Sequence, residues 1–161
     1  QPVFILCTHG HIDHIAGARD LQLKYNIPVM IGEHDAFYLS DLDRNGAVLF
    51  SIPYEPFKAD KLLKDGDEIP FEDEMIQVIH TPGHTPGGVS FYLKNSNILF
   101  SGDTLFKFSV GRTDLEGGSF EALMFSIQGK LFLLPDDCEV RPGHMGKTNI
   151  LDEKRANPFI Q

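Results

Sequence analysis

Four short motifs rich in histidine and aspartate constrain this chain more than any other feature of its sequence. Each motif directly follows an apolar run that predicts a strand, and each holds a glycine or a proline that favours a tight turn. Because strand ends can converge on one edge of a sheet, we expect the motif side chains to meet there. The motifs are Thr8-His9-Gly10-His11-Ile12-Asp13-His14, Pro82-Gly83-His84-Thr85, Ser101-Gly102-Asp103 and Pro142-Gly143-His144.

These side chains predict a site for divalent metal ions, since zinc, iron and manganese accept imidazole and carboxylate ligands when no thiolate is offered. His9 and His11 lie two residues apart in an extended loop and can point the same way, whereas Asp13 and His14 begin the next helix and face another direction. One segment can therefore serve two adjacent ions, and the carboxylate of Asp103 can bridge them. Two ions about 3.5 to 4 Å apart can share a hydroxide, which is a nucleophile at neutral pH.

Length, composition and charge define the class of protein that carries these motifs. The 161 residues, of which 42% are apolar, can bury one core, so we expect a single domain over residues 1–161. A formal net charge of −9 opposes binding to a phosphate backbone, and no apolar run reaches the roughly 18 residues that a membrane span needs. We therefore expect no nucleic-acid or membrane partner and a cytoplasmic location, with Cys7 and Cys138 as free thiols. The sequence does not determine the oligomeric state.

Hydrophobic periodicity predicts a chain that mixes strands and helices, as a layered α/β domain does. Strands are expected at residues 3–7, 29–31, 75–81, 89–93, 98–101 and 139–141. Helices are expected at residues 14–26, 35–42, 119–134 and 148–156, with a surface loop between the second helix and residue 58. His34 and His80 fall outside the four motifs and are predicted to be ordinary polar residues.

As a set, the four motifs resemble the metallo-β-lactamase superfamily. The HxHxDH pattern matches His9 to His14, and TPGHTPG around His84, SGDTLF around Asp103 and PGH at His144 complete the resemblance. It implies an α/β fold, the four-layer αββα sandwich, with further strands of the first sheet expected before Gln1. It also implies two divalent metal ions as cofactors, with zinc expected first and iron or manganese as alternatives.

The resemblance also implies a role for each motif residue. The first metal would be bound by His9, His11 and His84, the second by Asp13, His14 and His144, with Asp103 as the bridge between them. Asp13 and Asp103 are therefore the expected catalytic residues, and Asp13 would orient the hydroxide that the two ions share. This arrangement belongs to a binuclear metal-dependent hydrolase.

Two other segments resemble the short glyoxalase II-like branch of this superfamily, namely Gly111-Arg112-Thr113-Asp114 and Arg155-Ala156-Asn157-Pro158-Phe159. This resemblance implies a thioesterase that acts on small molecules, similar to hydroxyacylglutathione hydrolases. Met145-Gly146-Lys147 stands where that branch usually has Gly-Pro, so we expect an altered pocket wall beside the second metal. The longer glyoxalase II enzymes also carry a C-terminal helical segment that helps to hold glutathione. We do not expect this segment here, so dependence on glutathione stays open.

Arg112, Lys147 and Phe106 are candidates for contact with the substrate. The planar guanidinium of Arg112 can clasp a substrate carboxylate, or it can form a structural pair with the aspartate two residues later. Lys147 can contact an anion or simply face solvent, and Phe106 can form a pocket wall or pack in the core.

Other functions stay open beside thioester hydrolysis. A persulfide dioxygenase shares the fold and the GRTD segment but uses a single iron at the first metal site. A catalytically silent metal-binding protein would keep the ligands without turnover, and the same hydroxide could open a lactone or a β-lactam. RNA cleavage is opposed by the negative charge. The sequence identifies neither the metal nor the acyl and thiol parts of a substrate.

Overall fold

The computed structural model of the chain describes residues 1–160, which fold into two β-sheets with helices on their outer faces. The first sheet has three parallel strands in the order β1-β2-β3. Apolar residues dominate β1 and β2, as expected for parallel strands that are covered on both faces. The strands are β1 (Ile5–Cys7), β2 (Val29–Gly32) and β3 (Lys61–Leu63).

The second sheet has six strands in the order β11-β10-β7-β6-β5-β4, and a small hairpin of β8 and β9 follows β7. The strands are β4 (Glu68–Phe71), β5 (Glu74–His80), β6 (Val89–Leu93), β7 (Ile98–Gly102), β8 (Leu105–Phe106), β9 (Ser109–Val110), β10 (Glu139–Pro142) and β11 (Thr148–Asn149). β6 is antiparallel to both β5 and β7, and β10 is parallel to β7. β5, β7 and β10 therefore run in the same direction and end at the same edge of the sheet.

The helices of the described chain are α1 (Ile12–Ile15), α2 (Ala18–Tyr25), α3 (Ala47–Phe50), α4 (Phe120–Gly129) and α5 (Ile150–Ala156), with 3₁₀ helices at Glu33–Leu39 and Leu131–Leu133. Two of them begin at a side-chain cap. The Ser119 side chain accepts a hydrogen bond from the backbone N–H of Ala122 before α4, and Asn149 accepts one from Asp152 before α5. Over residues 1–160, no helix has the length and apolar character required to cross a membrane.

Three apolar cores separate these elements into four layers. One core lies between the first sheet and α1 to α3, the second lies between the two sheets, and the third lies between the second sheet and α4 and α5. The predicted αββα sandwich is thus confirmed, whereas strands before Gln1 stay a prediction. Representative core residues are, in the same order, Ile15 and Ile31, then Leu63 and Phe91, and finally Leu99 and Leu123.

Several predicted helix boundaries are wrong, each for a local reason. The helix expected at residues 14–26 is two helices, because α1 ends early and Gly17 caps a separate α2. The helix expected at residues 119–134 ends at Gly129 and is followed by a 3₁₀ turn. Thr148 pairs with β10 as part of β11, so the last helix begins later than predicted. The helix expected at residues 35–42 is a 3₁₀ helix, and the expected surface loop contains α3.

Candidate metal centre

The four motifs lie at the ends of four strands that come from both sheets. β5, β7 and β10 precede the motifs of His84, Asp103 and His144 at one edge of the six-stranded sheet. The first motif instead follows β1 of the three-stranded sheet, so the expectation of one shared sheet edge is wrong for this motif. The two sheets are joined beside the centre, where the backbone N–H of Val89 donates to the carbonyl of Thr8 at 2.8 Å.

His9, His11 and His84 form the first triad, in which one ring nitrogen of each residue lies within 4.8 Å of the others. The closest approach is 2.9 Å, between His11 Nδ1 and His84 Nε2. All three side chains are buried, and His9 Nε2 has no hydrogen-bond partner among the described residues. Burial lowers the pKa of His9, and burial together with His84 lowers the pKa of His11 to about 4. The rings of His9 and His11 are therefore neutral at pH 7, which is the form that binds metals.

Asp13, His14 and His144 form the second triad, again with ligand atoms within 4.8 Å of one another. His144 Nε2 lies 3.2 Å from Asp13 Oδ2 and 3.3 Å from His14 Nε2. This triad faces solvent, since the side chains of Asp13 and His144 are 52% and 50% exposed. The first motif therefore contributes residues to both triads.

The Asp103 carboxylate lies between the two triads. Its Oδ2 is 3.6 Å from His84 Nε2 in the first triad and 3.4 Å from His144 Nε2 in the second. Its Oδ1 is 3.3 Å from His14 Nε2, yet it has no aligned hydrogen-bond partner within the described part of the chain. Burial alone would raise the pKa of Asp103, but the three imidazoles outweigh burial and hold the pKa below its ordinary value of 3.8. Asp103 is therefore an ionised group that faces both triads.

The two triads and Asp103 fit divalent metal ions. In a tetrahedral zinc site with bonds of about 2.0 to 2.1 Å, two nitrogen ligands lie about 3.3 Å apart. The closest imidazole pairs of the two triads, at 2.9 and 3.3 Å, are near that separation. His9 Nε2 and Asp103 Oδ1 support the same conclusion, because buried polar atoms without a hydrogen-bond partner are rare unless another ligand satisfies them. A donor set of imidazole and carboxylate groups suits zinc, iron or manganese.

Two histidines of the first triad are oriented through their outer ring nitrogens. His84 Nδ1 donates to the backbone carbonyl of Arg112 at 2.8 Å, which directs Nε2 towards the centre. His9 Nδ1 lies 3.2 Å from the hydroxyl of Thr8, which leaves its Nε2 free. Such contacts fix the tautomer and the ring orientation that a metal-binding histidine needs.

The three candidate substrate contacts have different surroundings. The guanidinium of Arg112 donates two hydrogen bonds to Asp114, at 2.7 and 2.8 Å, while its backbone carbonyl is the group that contacts the centre. Lys147 is exposed and pairs with a glutamate of β10 at 2.9 Å. Phe106 is buried, and its ring centroid lies 6.0 Å from that of His144 in the second triad. Contact of these residues with a substrate stays a prediction.

The other two histidines lie outside both triads. His34 is exposed, and its ring centroid is 5.6 Å from that of His80. His80 Nε2 donates to the carbonyl of Pro86 at 2.9 Å. These contacts agree with the ordinary polar roles that the sequence predicts.

One buried acid beside the centre was not found from the sequence. Asp35 lies in the 3₁₀ helix Glu33–Leu39 and accepts hydrogen bonds from Gly10, Thr85 and Gly87. In the sequence it resembles any acidic residue in the first turn of a helix. Its partners are 25, 50 and 52 positions away, so no local pattern connects them with it.

A family model described as the metallo-beta-lactamase superfamily matches residues 1–144, a range that includes both triads and Asp103. The chain belongs to the metallo-beta-lactamase superfamily. Within it, the chain is 39% identical to the "Probable metallo-hydrolase YqgX" of Bacillus subtilis, over 99% of this chain and 76% of that protein. It is 35% identical to the "Hydroxyacylglutathione hydrolase GloC" of Haemophilus influenzae, over 97% of this chain and 74% of that protein.

Solved structures of the superfamily have the same fold. The structure titled BLEG-1 B3 metallo-beta-lactamase is 39% identical with a TM-score of 0.93, over 99% of this chain and 77% of that chain. The structure titled TTHA1623 in a di-iron-bound form is 36% identical with a TM-score of 0.87, over 99% of this chain and 78% of that chain. The structure of ETHE1 from Myxococcus xanthus is 31% identical with a TM-score of 0.78, over 97% of this chain and 61% of that chain. The chain is therefore a member of a metallo-hydrolase superfamily whose fold implies divalent metal ions.

Proposed function

We propose that this protein is a thioesterase of glyoxalase II type that uses two divalent metal ions, with zinc as the expected metal. The observation that carries the proposal is a pair of complete ligand triads with the Asp103 carboxylate between them. The substrate would be a small-molecule thioester. A cytoplasmic location and the absence of a nucleic-acid partner accompany this proposal as predictions.

Each group of the centre has a role in this reaction. The first triad would hold one ion and the second triad the other, with Asp103 in contact with both. When bound, two divalent ions acidify water and polarise a carbonyl group. Asp13 is half exposed at the open side of the centre, so its carboxylate can accept a hydrogen bond from the attacking water and orient it. A thiolate is a good leaving group, so the reaction needs little help from a general acid.

The similarities support the two parts of the proposal separately. The Haemophilus influenzae relative, at 35% identity, is named a hydroxyacylglutathione hydrolase, which favours a thioester as the substrate. The structure at 36% identity that is titled as a di-iron-bound form favours two ions in one centre. Iron is therefore the main alternative to zinc.

The open side of the centre suits an apolar group of a substrate. The buried ring of Phe106 lies beside His144, and the next residue, Met145, is 65% exposed. Met145 has a φ of 66°, in the left-handed region, so the chain turns sharply directly after His144. This turn would form the altered pocket wall that the Met145-Gly146-Lys147 segment predicts.

Two alternative activities have an observation in their favour. A persulfide dioxygenase shares the GRTD segment that this chain carries at Gly111-Arg112-Thr113-Asp114, and it would require one iron at the first triad. The BLEG-1 structure is titled a B3 metallo-beta-lactamase, so opening of a β-lactam is the second alternative. The complete second triad favours hydrolysis over a reaction that needs a single iron.

The test combines metal analysis with three assays on protein purified without a metal-chelating column. Elemental analysis would count the ions, and turnover would be measured on an S-acyl glutathione thioester, a penicillin-type β-lactam and, with an oxygen electrode, glutathione persulfide. The matched variants are His144→Ala, which removes a half-exposed ligand, and His34→Ala, which removes an exposed histidine outside both triads.

We expect about two ions per chain and thioester hydrolysis in the wild type and in His34→Ala. His144→Ala should retain about one ion and lose at least about 100-fold in kcat/KM. One iron per chain with oxygen uptake and no hydrolysis would instead identify a dioxygenase, and β-lactam turnover alone would identify a lactamase. Bound metal without any of these activities would indicate a silent metal-binding protein.

A further inference from the structure

Asp35 is a fully buried carboxylate with three hydrogen bonds and no cationic partner among the described residues. Its Oδ2 accepts from the backbone N–H of Gly10 at 3.0 Å and from the hydroxyl of Thr85 at 2.7 Å. Its Oδ1 accepts from the backbone N–H of Gly87 at 2.6 Å. A buried charge is costly, so such a group persists only where several donors satisfy it.

The donors to Asp35 belong to the two loops that carry the first triad. Gly10 stands between His9 and His11, and Thr85 directly follows His84. One carboxylate therefore contacts a residue adjacent to each of the three histidines. It has no hydrogen bond to a residue adjacent to the second triad, since its three donors all lie in the loops of the first.

The close approach of these loops to Asp35 requires glycine. A Cβ atom on Gly87 would lie 2.1 Å from the backbone nitrogen of Asp35, and a Cβ atom on Gly10 would lie 2.2 Å from Cβ of Tyr38. Both distances are shorter than real Cβ atoms adopt, so only a residue without a side chain lets each backbone N–H reach the carboxylate. The two glycines and Asp35 thus form one hydrogen-bonded connection between the loops.

We propose that Asp35 is a positioning residue that joins the His9–His11 loop to the His84 loop and so makes the first triad converge on one ion. This inference rests on the proposed metal-dependent function, because it assigns the three histidines to a metal ion. Groups that orient metal ligands typically change metal affinity by about 10- to 100-fold when they are replaced. Loss of the connection should therefore weaken the first site while the second triad keeps its contacts.

The substitution Asp35→Asn tests this role with little change in volume. The asparagine side chain has one acceptor oxygen and one NH₂ group. The NH₂ group therefore faces either the backbone N–H of Gly87, or the backbone N–H of Gly10 and the hydroxyl of Thr85. In each orientation the amide NH₂ opposes a backbone N–H, so the connection loses its hydrogen bond from Gly87 in the first case and its hydrogen bond from Gly10 in the second. Thr85→Val is a milder second variant, because it removes a single donor and leaves both backbone hydrogen bonds to Asp35 in place.

The control is Glu153→Gln, a second fully buried carboxylate whose contacts lie away from the first triad. Glu153 accepts from the backbone N–H of Phe108, from the hydroxyl of Thr148 and from the side-chain amide of Asn157. Its replacement should lower the stability of the fold, as Asp35→Asn does, without altering the loops of His9, His11 and His84. Comparison of Glu153→Gln with Asp35→Asn therefore separates a positioning role of Asp35 from a merely structural one.

The readout is the zinc dissociation constant in the His144→Ala background, which leaves the first triad as the complete site. Zinc would be titrated against a competing chromophoric chelator, and stability would be followed in parallel by urea unfolding of metal-free protein. We expect Asp35→Asn to raise the zinc Kd by about 10- to 100-fold, Thr85→Val to raise it by less, and Glu153→Gln to leave it within about threefold.

The outcomes separate this inference from the proposed function. If the His144→Ala protein binds no zinc, the metal centre itself is refuted. If it binds zinc but Asp35→Asn leaves the Kd unchanged, or Glu153→Gln raises the Kd equally, the positioning role of Asp35 is refuted. Should Asp35→Asn fail to fold, Thr85→Val decides the question, since an unchanged Kd in that variant also contradicts the proposal.

Discussion

Replacing Gly10 with alanine should damage both the fold and the centre, although it adds a single methyl group. The new Cβ atom would lie 2.2 Å from Cβ and 2.6 Å from Cγ of Tyr38, about 1.2 and 0.8 Å closer than an ordinary contact of 3.4 Å. Tyr38 has no free space to move into, because it is 2% exposed and its ring lies edge-on to that of His11. The first-motif loop must therefore shift by about 1 Å, since neither partner can give way in a close-packed interior.

Two contributions give the size of the effect. Overpacking of a buried site costs about 1 to 3 kcal/mol. A shift of the loop also strains the hydrogen bond from Gly10 N–H to Asp35, and a hydrogen bond to a charged group contributes about 1.5 to 3 kcal/mol to stability. We expect a loss of about 3 kcal/mol in the free energy of unfolding. Because the same shift displaces His9 and His11, kcat/KM for the thioester should fall by about 100-fold.

Gly17→Ala is the matched control for this substitution. A Cβ atom on Gly17 meets no atom within 4 Å, and its φ of −91° suits alanine. Unfolding by urea, followed by circular dichroism on metal-free protein, should show Gly17→Ala within about 1 kcal/mol of the wild type. The reasoning is refuted if Gly10→Ala is as stable as Gly17→Ala and equally active.

Two further predictions concern thiols and bound metal. Burial raises the pKa of Cys7 to about 12 and that of Cys138 to about 11, so a disulfide reagent at pH 8 should modify neither thiol in the folded protein and both after unfolding. Fast reaction of the native protein would contradict the buried positions. Removal of the metal with a chelator should lower the melting temperature. At free metal about 1,000-fold above Kd, the bound ion contributes about 4 kcal/mol, or roughly 8 to 16 °C for a chain of this size. An identical melting temperature with and without chelator would argue against a metal centre.

The ligand motifs could be predicted from the sequence because each is a contiguous segment with its own turn residues. His9 to His14 carries spacing, residue type and a preceding apolar run within a few positions, and the motif of His84 does the same. The structure brings these motifs together as expected. It differs from the prediction in drawing them from two sheets, since nothing in a local pattern states which strands share a sheet.

The parts that the sequence did not predict depend on distant contacts. Asp35 acquires its role from donors in two other loops, and an isolated acid in a short 3₁₀ helix has no local feature that reveals them. The sequence indicates a role for the side chain of Arg112, yet its backbone carbonyl contacts His84 while the guanidinium pairs with Asp114. The sequence predicts Thr148 as the start of a helix, because its pairing partner lies in a distant strand and leaves no local signal. In each case tertiary contacts override the local pattern.

The two triads differ in a way that bears on how a substrate would reach the centre. The first triad is buried, and its loops are held by hydrogen bonds from outside the ligand set. The second triad has two half-exposed members, Asp13 and His144, and a sharp turn at Met145 beside them. A group that enters from solvent meets the second triad before the first. Its reacting carbonyl would therefore approach past Asp13 and His144, so changes at these residues and at Met145 should affect substrate choice more than changes behind the first triad.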